Sequence, residues 1–154
     1  MRDGCEPTRM TAEKGLVSAA LEVSKNAVAP HSKFHVGAAL EANDGTVYTG
    51  CNVESDSFGL TICAERVALT KALSEGARDF KRIAIVGAMQ TGELSESSDS
   101  GSEATSGIGP CGACRQLLWD HCRNIEVLSG SQQGEVVNRW MLADLLPAAF
   151  SFKN

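Results

Sequence analysis

The sequence carries no excess of basic residues: 14 Lys and Arg stand against 19 Asp and Glu, a net charge of -5. Nucleic-acid binders present a basic face, so this balance argues against DNA or RNA as partner. No Lys/Arg cluster interleaved with aromatics offsets it. No run approaches the roughly 18 consecutive apolar residues of a membrane-spanning helix, which argues against a membrane partner. The opening "MRDGCEPTRM" lacks the apolar stretch of a secretory signal, so the cytoplasm is the expected compartment. Small molecules or other proteins remain as partners. Cysteine, by contrast, is plentiful at six. Three disulfides in a secreted miniprotein are one reading. In a chain this long without a signal, metal binding or catalysis by reduced thiols is the better one.

A length of 154 residues suits one domain. Residues 1–10 are expected to form a flexible tail and 11–154 a single domain. Leu16, Ala20, Val23 and Ala27 make a helical stripe that stops before Pro30. "FHVGAALEANDGTVYTGCNVE" reads as two strands around an Asn-Asp-Gly turn. A second helix is predicted from Ile62 to Leu73 with Thr61 as N-cap. "RIAIVGAM" has the continuous apolar character of a buried central strand. Residues 90–108, rich in Ser, Gly and acid, read as a flexible loop rather than a substrate lid. A third helix opens at "PCGACRQLLWDHC", with Pro110 in its first position. "IEVLS" and "EVVNRW" read as strands, and "MLADLLPAAF" as a short helix ending at Pro147. This order predicts an α/β fold with one sheet covered by helices on both faces.

The chemistry gathers at two helix starts. Cys111 and Cys114 have the C-x-x-C spacing that offers two thiolates to one zinc ion, or forms a redox dithiol. Cys63 lies at the other predicted helix start. Three thiolates around Zn²⁺ carry about one net negative charge, which two helix N-termini favour. Arg66 is placed to hydrogen-bond a thiolate from outside the ligand shell. A fourth ligand is not evident. His121 and Cys122 lie roughly 10–12 Å further along the predicted helix, too far to share the metal. His31, His35 and Cys51 stay open as candidates. A site with three protein ligands holds water in the fourth position. Glu65, two residues from Cys63, is then placed to move protons between that water and a substrate nitrogen. Stabilising a helix N-terminus is the alternative.

"C-A-E" followed by "P-C-G-A-C-R-Q" resembles the zinc signature of the cytidine deaminases, of the small homotetrameric type with three cysteine ligands; the three-cysteine zinc deaminase with a non-ligand glutamate is itself a described variant. "APHSKFHVGAAL", "GCNVE", "GLTICAERVALTKALSEG" and "LLPAAF" follow the same family in the same order, from about Leu16 to Phe150. The resemblance implies a three-layer α/β/α fold with a mixed five-stranded sheet. It implies Zn²⁺ on Cys63, Cys111 and Cys114, with Glu65 as proton shuttle. It further implies Asn52 and Glu54 on the ribose hydroxyls, Phe34 stacked on the pyrimidine, and the Ala64 backbone against the ring. Phe150 would reach the base in a neighbouring subunit's site, within a homotetramer. The reaction implied is hydrolytic deamination of cytidine and deoxycytidine in pyrimidine salvage, with no organic cofactor.

The resemblance breaks in the sugar-binding stretch. Where the family reads E-N-A-x-Y, this chain reads "ESDSF", so Asp56 replaces a small residue and Phe58 a tyrosine. The loop before Pro110 is long for the family, and Ala148 stands for a usual glycine. One rival is therefore the same chemistry on a modified aminopyrimidine nucleoside of the blasticidin S type. A structural zinc module is another, and it would need a fourth ligand.

Overall fold

The computed structural model describes residues 6–89 and 107–152. Along the central strands successive side chains leave on opposite faces, and here both faces are covered. In β1 (Phe34–Ala42), Ala38, Leu40 and Ala42 enter one core and Ala39 the other. In β3 (Phe80–Met89), Ile83 and Ile85 enter the first, Ala84 and Val86 the second. The two cores separate the helices into layers. Helix α1 (Glu6–Ser24) brings Leu16, Val17 and Ala20 to the second core. Helices α2 (Ala64–Ser74) and α3 (Gly112–Cys122) bring Ala68, Leu69, Ala72 and Leu118 to the first. The result is the expected three-layer α/β/α arrangement.

With β2 (Val47–Cys51), β4 (Glu126–Gly130) and β5 (Val136–Met141), the sheet has five strands in the order β2-β1-β3-β4-β5. It is mixed: β3 and β4 pair in parallel, and the other neighbours are antiparallel. The β1–β2 hairpin turns at Gly45, whose φ of 89° suits glycine, while the Asp44 carboxylate accepts the Thr46 amide at 2.9 Å. Short helix α4 (Leu142–Leu145) follows β5 and buries Leu142 in the first core. Glycine sets the closest approaches. A Cβ at Gly37 would strike the Ala20 carbonyl of α1, and one at Gly50 would strike the Ala68 amide of α2. The second contact seats α2 directly on the hairpin.

One expectation needs correction. Residues 6–10 are not tail, because α1 starts at Glu6, five residues before the expected Thr11. Proline at position 7 fits a first helical turn, which needs no N–H there. Arg9 then ties that turn down, pairing with Glu13 and with Glu126 of β4, each at 2.7 Å. Residues 1–5 of the expected tail, and all of the expected 90–108 loop except its last two residues, lie outside the described residues.

Candidate active site

Helices α2 and α3 each have a cysteine as N-cap: Cys63 (φ -72°, ψ 152°) and Cys111 (φ -66°, ψ 166°). Thr61 and Pro110 therefore each sit two residues before the positions expected of them. The Thr61 hydroxyl instead accepts the Ser55 amide at 3.1 Å, and Pro110 is buried ahead of the cap. Neither cysteine sulfur caps its own helix. Both are turned to a common point, which Cys114 in the first turn of α3 joins. The three Sγ atoms lie within 4.8 Å of one another, with Cys63 and Cys111 3.9 Å apart.

Those distances fit a metal. At a Zn–S bond of about 2.3 Å, a tetrahedral site has sulfur–sulfur edges of roughly 3.8 Å. Cys114 is buried, Cys63 half-buried and Cys111 exposed, so the cluster opens to solvent on one side. Among the described residues no histidine or carboxylate joins it. His31 is engaged elsewhere, with its Nε2 3.2 Å from Asp56 and its ring against Phe58 at 5.2 Å. Cys122 ends α3, and burial holds its thiol up at about 12, an inert core sulfur.

The electrostatics favour an anionic sulfur at Cys63. A hydrogen bond from the Cys114 thiol, then one from Arg66, pulls Cys63 well below the ordinary thiol range. Its partner Cys114 is pushed up by giving that hydrogen bond and by burial. Arg66 Nη2 reaches Cys63 Sγ at 3.8 Å and is itself fixed by the Thr61 carbonyl at 2.8 Å. It stands outside the thiol cluster. Glu65, in the first turn of α2, is only 5% exposed. Burial raises its carboxyl to about 7, with the Cys63 charge adding. A dication held by the thiols would act oppositely and favour the carboxylate.

The other expected residues spread from this centre. An antiparallel bridge pairs Val53 with Ile62, which sets Asn52 opposite Cys63 and Glu54 opposite Thr61. The Asn52 side chain accepts the Val36 amide at 2.8 Å and donates to the Phe34 carbonyl at 3.0 Å, stitching itself to β1. One amide hydrogen and one lone pair remain for another partner. The Glu54 carboxylate accepts the Ser32 hydroxyl and the amides of His31 (2.8 Å) and Ser32 (3.2 Å), which keep it below the usual carboxylate range. Phe34, half-buried, lays its ring over Gly87, where any Cβ would collide with it. Ala64 is fully buried. Phe150 is 68% exposed, stacks edge-on with Phe152, and has its carbonyl held by Gln116 Nε2 at 3.0 Å.

Residues 10–128, which include all three thiols and Glu65, match the family model of the cytidine and deoxycytidylate deaminase zinc-binding region. The chain belongs to this deaminase family. A cytidine deaminase of Sporosarcina psychrophila is 38% identical over 143 residues, 92% of this chain and 93% of its own. The crystal structure of a cytidine deaminase from Burkholderia pseudomallei matches with a TM-score of 0.74 and 43% identity, over 88% of this chain and 97% of its own. A blasticidin-S deaminase of Bacillus cereus is 29% identical, over 78% of this chain and 79% of its own. The cofactor of this deaminase-family chain is zinc, and Cys63, Cys111 and Cys114 form a cluster able to hold it.

Two features of the site were not anticipated. The His31–Asp56 contact joins residues far apart in sequence, and nothing local announces it. The side chain of Arg115 reaches back to the loop before Cys111. Its sequence signal is its place directly after Cys114, inside the P-C-G-A-C-R-Q stretch.

Proposed function

We propose that the chain hydrolyses cytidine and deoxycytidine to uridine and deoxyuridine, releasing ammonia. The observation that carries this is the buried Glu65 carboxyl beside three thiols that converge at two helix N-termini. Zinc held by those thiols supplies Lewis acidity, lowering the pKa of a coordinated water to about 7. Glu65 moves the protons: it delivers one to N3 of the pyrimidine and carries another to the leaving amine at C4. Arg66 holds Cys63 and balances part of the thiolate charge. The Ala64 backbone faces the ring, and Phe34 supplies a stacking surface.

Asn52 and Glu54 hold the ribose with the valences their structural bonds leave free. Glu54→Ala is expected to lower kcat/KM for cytidine by roughly ten- to a hundredfold through loss of a charge-assisted hydrogen bond. Steady-state kinetics alongside a melting curve check it; a change within twofold contradicts the role.

The active unit is a homotetramer with sites shared between subunits. Phe58 (75% exposed), Leu60 (68%) and Phe152 (84%) add to Phe150 a set of large apolar side chains that the described residues leave exposed. A second copy of the chain is the natural cover. Light scattering at assay concentration is expected to give four chains per particle; an active monomer counts against this. Three ligands that must stay reduced suit the cytoplasm.

A second reading draws on Asp56, which places a fully exposed carboxylate beside His31 and Glu54. There the substrate is a modified aminopyrimidine nucleoside, as the blasticidin-S deaminase relative suggests. The test compares kcat/KM for cytidine, deoxycytidine, cytidine monophosphate, cytosine and blasticidin S. The plain nucleosides are expected to win; clear preference for the antibiotic or the monophosphate overturns the substrate assignment.

A further inference from the structure

Cys111 is exposed, as are Gly112 and Ala113 after it, so packing does little to hold this ligand in place. Hydrogen bonds from one residue do it instead. The Arg115 amide donates to the Cys111 carbonyl at 2.9 Å, as the helix requires. Its side chain turns back, and Nε donates to the Pro110 carbonyl at 2.7 Å. The peptides on both sides of the Cys111 Cα are thus held by the same residue. The far end of the guanidinium is fixed as well: Nη1 donates to the Leu145 carbonyl, the last of α4, at 2.8 Å.

That carbonyl is a firm anchor. Leu142 is fully buried and its amide bonds the Ile125 carbonyl, while the Ala143 amide bonds the Asn124 side chain at 2.9 Å. The carbonyl at the end of a helix lacks an intrahelical donor, so Arg115 satisfies it at no cost to α4. The planar guanidinium spans two carbonyls at a fixed separation, whereas a lysine ammonium is a point donor on a flexible stem. We propose that Arg115 is a positioning residue for the metal centre: it braces the Cys111 loop against α4 and thereby governs how long zinc stays bound. This rests on the thiol cluster holding zinc and is independent of which nucleoside is the substrate.

The test is the rate at which the zinc-loaded protein releases its metal to a chromogenic chelator, without substrate and far below the melting temperature. Partners that orient metal ligands typically contribute about 10- to 100-fold in metal affinity, so Arg115→Met is expected to release zinc at least about tenfold faster. Arg115→Lys, able to reach one carbonyl but not both, falls between. Gln116→Ala frees the Phe150 carbonyl without touching the Cys111 loop, so its release rate is expected to match the parent. Should Arg115→Met fail to fold, Arg115→Lys against the parent decides. Release within twofold of the parent in the folded Arg115 variants overturns the proposal, even with a lowered melting temperature. Equal acceleration by Gln116→Ala overturns it too, since that would mean general loosening of the C-terminal segment.

Discussion

Glu65→Gln is expected to keep zinc and fold and to lose turnover of cytidine by at least about 10²- to 10⁴-fold, the usual worth of a positioned acid–base group. The amide matches the carboxyl in shape, so the first turn of α2 and the neighbouring Cys63 stay as they are. What is lost is a group able to accept and return a proton. In the proposed mechanism the same carboxyl serves both N3 and the leaving amine, so the loss is expected in kcat and not in KM. Measurement of kcat at saturating cytidine, with metal content and a melting curve on the same preparation, checks this. Turnover within a factor of a few of the parent contradicts the assigned role, and loss of zinc would place Glu65 among the ligands.

The other large effect lies beneath α1, away from the chemistry. The Glu13 side chain is 3% exposed and meets Arg9 at 2.7 Å, Arg139 at 2.6 Å and Arg82 at 3.3 Å. Arg82 is buried too, and its Nε lies 2.8 Å from Glu41. Glu13→Gln leaves buried guanidinium charge with fewer partners, and breaking such a pair costs about 3–5 kcal/mol. The low end applies, since Arg82 keeps Glu41 and Glu126. At roughly 2–4 °C per kcal/mol for a domain of this size, the melting temperature is expected to fall by about 6–12 °C. The pH dependence carries a sign. Burial alone raises the Glu13 carboxyl, but hydrogen bonds from Arg9 and Arg139 overcome it and hold the folded value below the ordinary one. Its contribution is therefore present above the unfolded pKa of about 4.3 and disappears as pH falls through the folded value. Parent and variant should differ most near neutrality and converge in acid. A gap that stays constant with pH would assign the loss to packing instead.

This network illustrates where the sequence was opaque. Arg9 and Glu13 are one helical turn apart and readable as a pair, but Arg82, Glu126 and Arg139 join them only because β3, β4 and β5 lie side by side under α1. Pairing across a sheet leaves no local trace. The strands themselves were legible, because β3 is apolar on both faces and the β1–β2 turn carries Asn-Asp-Gly. Helix starts were legible to within two or three residues at α2 and α3. They were misjudged in detail because a cysteine whose sulfur is committed elsewhere makes a poor cap by the usual rules, yet Cys63 and Cys111 occupy the cap positions. The thiols and Glu65 could be read from spacing with chemistry, and the resemblance chose among the options that spacing left open. Asn52 could not be fully read in this way: its bonds to the Phe34 carbonyl and Val36 amide depend on β1 and the chain after β2 running side by side.

The central claim is that three thiols and Glu65 make a zinc-dependent deaminase centre. It is tested most directly by metal analysis joined to ammonia release from cytidine, on one preparation before and after removal of its metal. One zinc per chain, ammonia and uridine formed in equal amounts, and activity lost on stripping and regained with zinc are the results predicted. Full ammonia release from the metal-free protein, or a zinc-loaded protein that leaves cytidine and deoxycytidine untouched, would contradict it.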